Sequence, residues 1–127
     1  MTAKNVINNE FVAIKKQDIS SLTNDEIYNI SREALYMQSF KHRNIIKFLN
    51  SYVYEGQFYS VMECALGGEL SDLLHKQIYL TEFQARKIFK QLHEAVKYIH
   101  AKDIVHRDLK PNNILFLDKE QENMVVI

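Results

Sequence analysis

Residues 106–113 read His106-Arg107-Asp108-Leu109-Lys110-Pro111-Asn112-Asn113. Taken alone, Asp and Asn followed by apolar residues often just shape a turn. The surroundings give the run its setting. Upstream lies the clearest periodic element of the chain. After Thr81-x-x-Gln84, a capping box, Ala85, Ile88, Phe89, Leu92, Val96 and Ile99 fall on one face and Lys87, Lys90, Glu94 and Lys97 on the other. This predicts an amphipathic helix that ends near Ala101. Downstream, Ile114–Leu117 and Met124–Ile127 read as two short strands.

Further from the stretch, the first half has a different texture. Glu10 to Lys16 (EFVAIKK) is short, β-branched and aromatic, and reads as a strand. Thr23-Asn24-Asp25-Glu26 is another capping box, and Ile27, Ile30, Ala34 and Met37 then recur at helical spacing, predicting a helix from about 24 to 40. Glu33 borders that apolar stripe, where burial without a partner would be costly. Residues 45–54 and 58–63 are strand-like and separated by Glu55-Gly56-Gln57, a hairpin signal with glycine available for positive φ. Gly67-Gly68 breaks the chain, and a short helix follows over 69–75. The expected class is α+β, with residues 1–66 a sheet-containing unit and 67–127 a mostly helical one.

Composition narrows the function classes. In 127 residues, 46% apolar content supports one packed core, and sixteen basic residues balance sixteen acidic ones. A generally basic nucleic-acid binder is not expected. The single cysteine, Cys64, excludes an internal disulfide and cysteine-built metal sites, and reads as a small apolar residue. No apolar run approaches the roughly 20 residues of a membrane span, and the N-terminus lacks a secretory h-region. A soluble, intracellular, cytoplasmic protein is the expectation, with no membrane partner.

Residues 106–113 fit H-R-D-L-x-x-x-N at every specified position, and Val12-Ala13-Ile14-Lys15 fits V-A-I-K on the first predicted strand. Five fixed residues would recur by chance on the order of once in a few million positions. The chain thus resembles the eukaryotic protein kinase family along nearly all its length. Glu33 with His42-Arg43-Asn44-Ile45 resembles the end of the kinase C-helix and the segment after it. Val61 to Leu70 (VMECALGGEL) resembles the strand leading into the interlobe hinge. Lys110-Pro111 resembles the serine/threonine type, and Gly-Gly-Glu-Leu the calcium/calmodulin-dependent branch.

The resemblance implies a partial small lobe with its C-helix, followed by the first part of the large lobe. It implies transfer of the ATP γ-phosphate to protein Ser or Thr with Mg²⁺. Asp108 would act on the substrate hydroxyl, Lys110 would contact the γ-phosphate and Asn113 would ligate the metal. Lys15 would hold the α/β phosphates and Glu33 would pair with Lys15. Glu63 and Ala65 would offer backbone groups to adenine, with Met62 at the back of the pocket, Leu115 also at the nucleotide and Glu69 on the ribose. ATP and protein substrates are the implied partners, and a regulatory partner is left unspecified. Arg107 beside Asp108 resembles kinases regulated by a phosphorylated activation loop.

Departures matter as well. No glycine loop precedes Val12, no Asp-Phe-Gly follows Asn113, and Asn112 stands where the branch commonly has glutamate. The 127 residues by themselves are therefore expected not to transfer phosphate. The apolar face of helix 85–99 and the run Met124–Ile127 are expected to lack cover and to favour aggregation or a partner. The alternative reading is a catalytically inactive, pseudokinase-like interaction module.

Overall fold

The computed structural model describes residues 1–7 and 9–126. They form two compact units, one of Met1–Lys41 with Lys47–Cys64 and one of His42–Ile46 with Ala65–Ile127.

The first unit is an antiparallel sheet of β1 (Thr2–Lys4), β2 (Phe11–Asp18), β3 (Phe48–Tyr54) and β4 (Gln57–Glu63), in the order β1-β2-β4-β3. The β3–β4 hairpin turns on Glu55 and Gly56, both left-handed at φ 47° and 70°. A two-residue turn of that hand matches the twist of the strands it joins. Across β2 and β4, Ala13 faces Met62 and Lys15 faces Ser60, so Lys15 and Met62 lie on one face of the sheet.

Helix α1 (Asn24–Ser39) packs on β3 and begins at the predicted cap. The Thr23 amide donates to Glu26 Oε2 at 2.8 Å and the Glu26 amide to Thr23 Oγ1 at 3.4 Å. The Thr23 amide, and then the Thr23 hydroxyl, which donates to the same Oε2 at 2.8 Å, hold the Glu26 carboxyl below its ordinary range.

The second unit holds β5 (Gly68–Glu69), α2 (Leu70–Lys76), α3 (Glu82–His100), a single 3₁₀ turn (Pro111–Asn113), β6 (Ile114–Phe116) and β7 (Met124–Val126). The three strands pair in the order β5-β6-β7, and α3 packs on β7. Gly67 lies tight against this sheet. A Cβ there would collide with the Asp118 carbonyl and approach the Phe116 Cβ to 2.6 Å, which explains one of the two adjacent glycines. Gly68, at φ 81°, supplies the left-handed backbone that turns the chain into β5.

Three sequence expectations are corrected here. The segment from Ile45 to Lys47 is not strand, because Ile45 makes an isolated parallel bridge to Val126 and belongs to the second unit. Met124, Val125 and Val126 are not left uncovered. They are buried against α3 and β6, the sheet closing around residues the sequence alone leaves without a partner. Ile127, the last residue of that predicted run, lies outside the described residues. On α3, Ile88, Ala95 and Ile99 form the buried stripe, whereas Phe89 is 66% exposed and falls off it.

Asn44 fastens residues 42–46 into the second unit. It is 3% exposed, and its Nδ2 donates to Gln91 Oε1 on α3 and to the Met124 carbonyl on β7, both at 2.9 Å. The Val126 amide donates to the Asn44 carbonyl at 3.0 Å. Removing the amide takes a donor from the buried Met124 carbonyl and leaves Gln91 Oε1 with the Met124 amide. Asn44→Ala is therefore expected to cost ~1–3 kcal/mol, read as a lower urea midpoint at unchanged slope. Among the described residues no helix is long and apolar enough to cross a membrane.

Candidate active site

The predicted catalytic loop leaves α3 through a short turn and reaches the 3₁₀ turn at Pro111, where proline suits the start of a helical turn. Arg107 takes a left-handed φ of 66°, an uncommon state for a side chain of that kind and a feature found at functional sites. The twist places the Asp108 amide on His106 Nδ1, which accepts it at 3.3 Å.

Three of the predicted residues meet directly. Asp108 Oδ2 accepts from Lys110 Nζ at 2.8 Å and from Asn113 Nδ2 at 2.8 Å. The same Asn113 nitrogen also donates to the Asp108 carbonyl at 2.8 Å, and the Asn113 amide to the Lys110 carbonyl at 2.9 Å. The Lys110 ammonium first, and then the Asn113 amide, hold the Asp108 carboxyl below the usual aspartate range. Asp108 is therefore ionised at neutral pH. Because the folded carboxyl titrates below its unfolded counterpart, its contribution to stability is present above the ordinary aspartate pKa and is lost as pH falls through the folded value.

Asn113 carries a further consequence. With Nδ2 given to Asp108, Oδ1 is the remaining oxygen donor of the amide. A hard cation such as Mg²⁺ takes oxygen donors, so the Asn113 amide oxygen fits it by donor type. Among the described residues no group of three or more His, Cys, Asp or Glu side chains forms an all-protein metal cage.

Glu69 and Leu115 are also brought together, directly opposite each other across β5 and β6. Ser71 and Asn112, to which the sequence reading gives no role in this cluster, complete it. Ser71 Oγ donates to Glu69 Oε2 at 2.7 Å, and Asn112 Nδ2 donates to the same oxygen at 3.1 Å and to Ser71 Oγ at 3.2 Å. The one visible signal was the departure from glutamate at 112.

In the first unit, Met62 is buried on the face that carries Lys15. The Glu63 amide donates to the Lys47 carbonyl at 2.9 Å, and the Lys47 amide to Glu63 Oε1 at 2.7 Å, so that amide is not open to a ligand. Ala65 opens the longer stretch of the second unit, followed by the Leu66 and Gly67 amides that donate to the Leu117 and Phe116 carbonyls. Lys15 and Glu33 are both exposed and no ion pair joins them. Helix α1 lies on β3 and buries Ala34, leaving Glu33 beside the stripe and in water, where an ion pair contributes little.

Along its whole length the chain is similar to known proteins. A family model described as a protein kinase domain matches residues 1–127. Calcium-dependent protein kinase 5 of Plasmodium falciparum is 39% identical over 116 residues, covering 89% of this chain and 20% of the relative. CBL-interacting protein kinase 15 of Oryza sativa subsp. japonica is 40% identical over 125 residues, covering 98% of this chain and 28% of the relative. The chain thus spans between a fifth and three tenths of the length of these relatives. With the family matched from end to end, this chain belongs to the protein kinase family.

Proposed function

We propose that this chain supplies the catalytic loop and part of the nucleotide-binding machinery of a protein serine/threonine kinase, which transfers the γ-phosphate of ATP to Ser or Thr of protein substrates. The observation that carries the reading is the Asp108 carboxylate, held ionised and oriented by Lys110 and Asn113. Phosphoryl transfer passes through a loose transition state, so the protein chiefly positions groups and offsets charge.

In that reading Asp108 orients the acceptor hydroxyl and receives its proton. Lys110 turns its ammonium to the γ-phosphate while remaining within reach of Asp108. Asn113 holds Asp108 with one end of its amide and offers oxygen to Mg²⁺ with the other. When bound, Mg²⁺ would be held through the Asn113 oxygen and would offset the charge of the ATP phosphates. Lys15 serves the α/β phosphates and Glu33 pairs with it once α1 swings its carboxylate to the sheet. Met62, Glu63 (through its carbonyl), Ala65, Glu69 and Leu115 serve the nucleoside. The cytoplasm, where ATP and protein substrates meet, is the compartment that suits this work. The separation of Lys15 from Glu33 is the observation that favours the alternative, an inactive interaction module.

The test replaces the matching segment of the Plasmodium falciparum relative with this chain and supplies γ-labelled ATP, Mg²⁺ and a generic protein substrate. Label on serine and threonine is the expected result. No transfer by a folded graft, or label on tyrosine alone, would overturn the reading.

A further inference from the structure

The 3₁₀ turn that ends the catalytic loop is one turn long, with few bonds of its own: Asn113 to Lys110, and Ile114 to Pro111. Short 3₁₀ turns have poor internal geometry and depend on outside support. Here the support comes from Asn112. Although exposed, it donates from Nδ2 to Glu69 Oε2 at 3.1 Å and to Ser71 Oγ at 3.2 Å. Ser71 is 8% exposed and itself donates to Glu69 at 2.7 Å, so the anchor is a fixed one. The next residue, Asn113, is the one that grips Asp108.

We propose that Asn112 is a positioning residue for the catalytic loop: by tying the 3₁₀ turn to the start of α2, it holds Asn113 and Asp108 in their mutual geometry. The inference rests on the kinase reading for its catalytic consequence, but the tie itself does not. A glutamate at this position could not make it. A carboxylate has no donor for Glu69 and would set like charges about 3 Å apart, where they repel. The brace is therefore a property of this chain's asparagine.

Asn112→Asp keeps the shape, removes the donor and adds the charge. Glu69→Gln combined with Asn112→Asp restores one bond with its polarity reversed. In the 127-residue chain, side-chain amide exchange of Asn113 is expected to quicken about tenfold in Asn112→Asp, the loss of one ordinary hydrogen bond, and to recover in the double variant. In the graft, kcat is expected to fall about tenfold in Asn112→Asp with the peptide KM unchanged. Asn112→Ala, which adds no charge, is expected to show a smaller loss of both. A role confined to folding would move the melting temperature and leave no polarity-reversed rescue. Unaltered exchange and kcat in Asn112→Asp, or a folded double variant whose Asn113 exchange stays fast, overturns the inference. A wild-type graft that transfers nothing overturns the kinase reading instead, and the exchange measurement still judges the tie.

Discussion

Asp108→Ala in the grafted domain is expected to lower kcat by about 10²–10⁴-fold, the usual contribution of a positioned general base. The KM for ATP should hardly change, because Asp108 acts on the acceptor hydroxyl and leaves the nucleoside alone. The physical basis is local. The carboxylate is kept ionised by Lys110 and Asn113 and aimed by the left-handed Arg107 before it. Asp108→Asn should be nearly as damaging, since an amide preserves shape but cannot receive the proton. Steady-state kinetics on a serine peptide measure both. A kcat within a few fold of wild type would remove Asp108 from the chemistry.

The second large effect concerns stability. Phe116 is 0% exposed at the centre of the β5-β6-β7 sheet, beside the point where Gly67 admits no side chain. Phe116→Ala removes most of a buried ring from a site that cannot collapse without moving Gly67 and Asp118. A loss of ~3–5 kcal/mol is expected, enough to unfold much of a marginally stable chain at room temperature. Phe89→Ala, at a ring 66% exposed on α3, should change stability by no more than about 0.5 kcal/mol. Urea titration of the two variants separates them. Equal losses would mean that α3 buries Phe89 as its periodicity suggested.

That contrast shows what periodicity can and cannot supply. Helices α1 and α3 were legible because Thr23-x-x-Glu26 and Thr81-x-x-Gln84 mark their starts with local chemistry, and both boxes are formed. The hairpin was legible from Gly56 for the same reason. Phe89 was misplaced because an apolar residue at the border of a stripe can fall either way, and only packing decides. Strand β1 was invisible: Thr2–Lys4 is three residues with no apolar pattern, and exists through pairing with β2. The burial of Met124–Val126 was also out of reach, since it depends on Asn44 and Gln91, 80 and 33 residues away along the chain.

The site divides in the same manner. Asp108, Lys110 and Asn113 lie within six positions of one another, so the motif that names them nearly fixes their contact. Asn112, Ser71 and Glu69 meet across more than forty residues, and no local pattern announces that meeting. Lys15 and Glu33 are named by the same family resemblance, yet stand apart. Their pairing depends on where α1 rests, which residue identity does not determine.

The most direct measurement of the central claim is the pH dependence of kcat/KM for phosphate transfer by the grafted domain, which reports the ionisations of the free enzyme. Lys110 and then Asn113 hold the Asp108 carboxyl below the ordinary aspartate range, so the base is already ionised well into acid. The expected profile keeps its activity as pH falls to that ordinary range, with an acid limb that moves upward in Asn113→Ala. An acid limb at or above the ordinary carboxylate value in the wild type, or one indifferent to residue 113, would contradict the account.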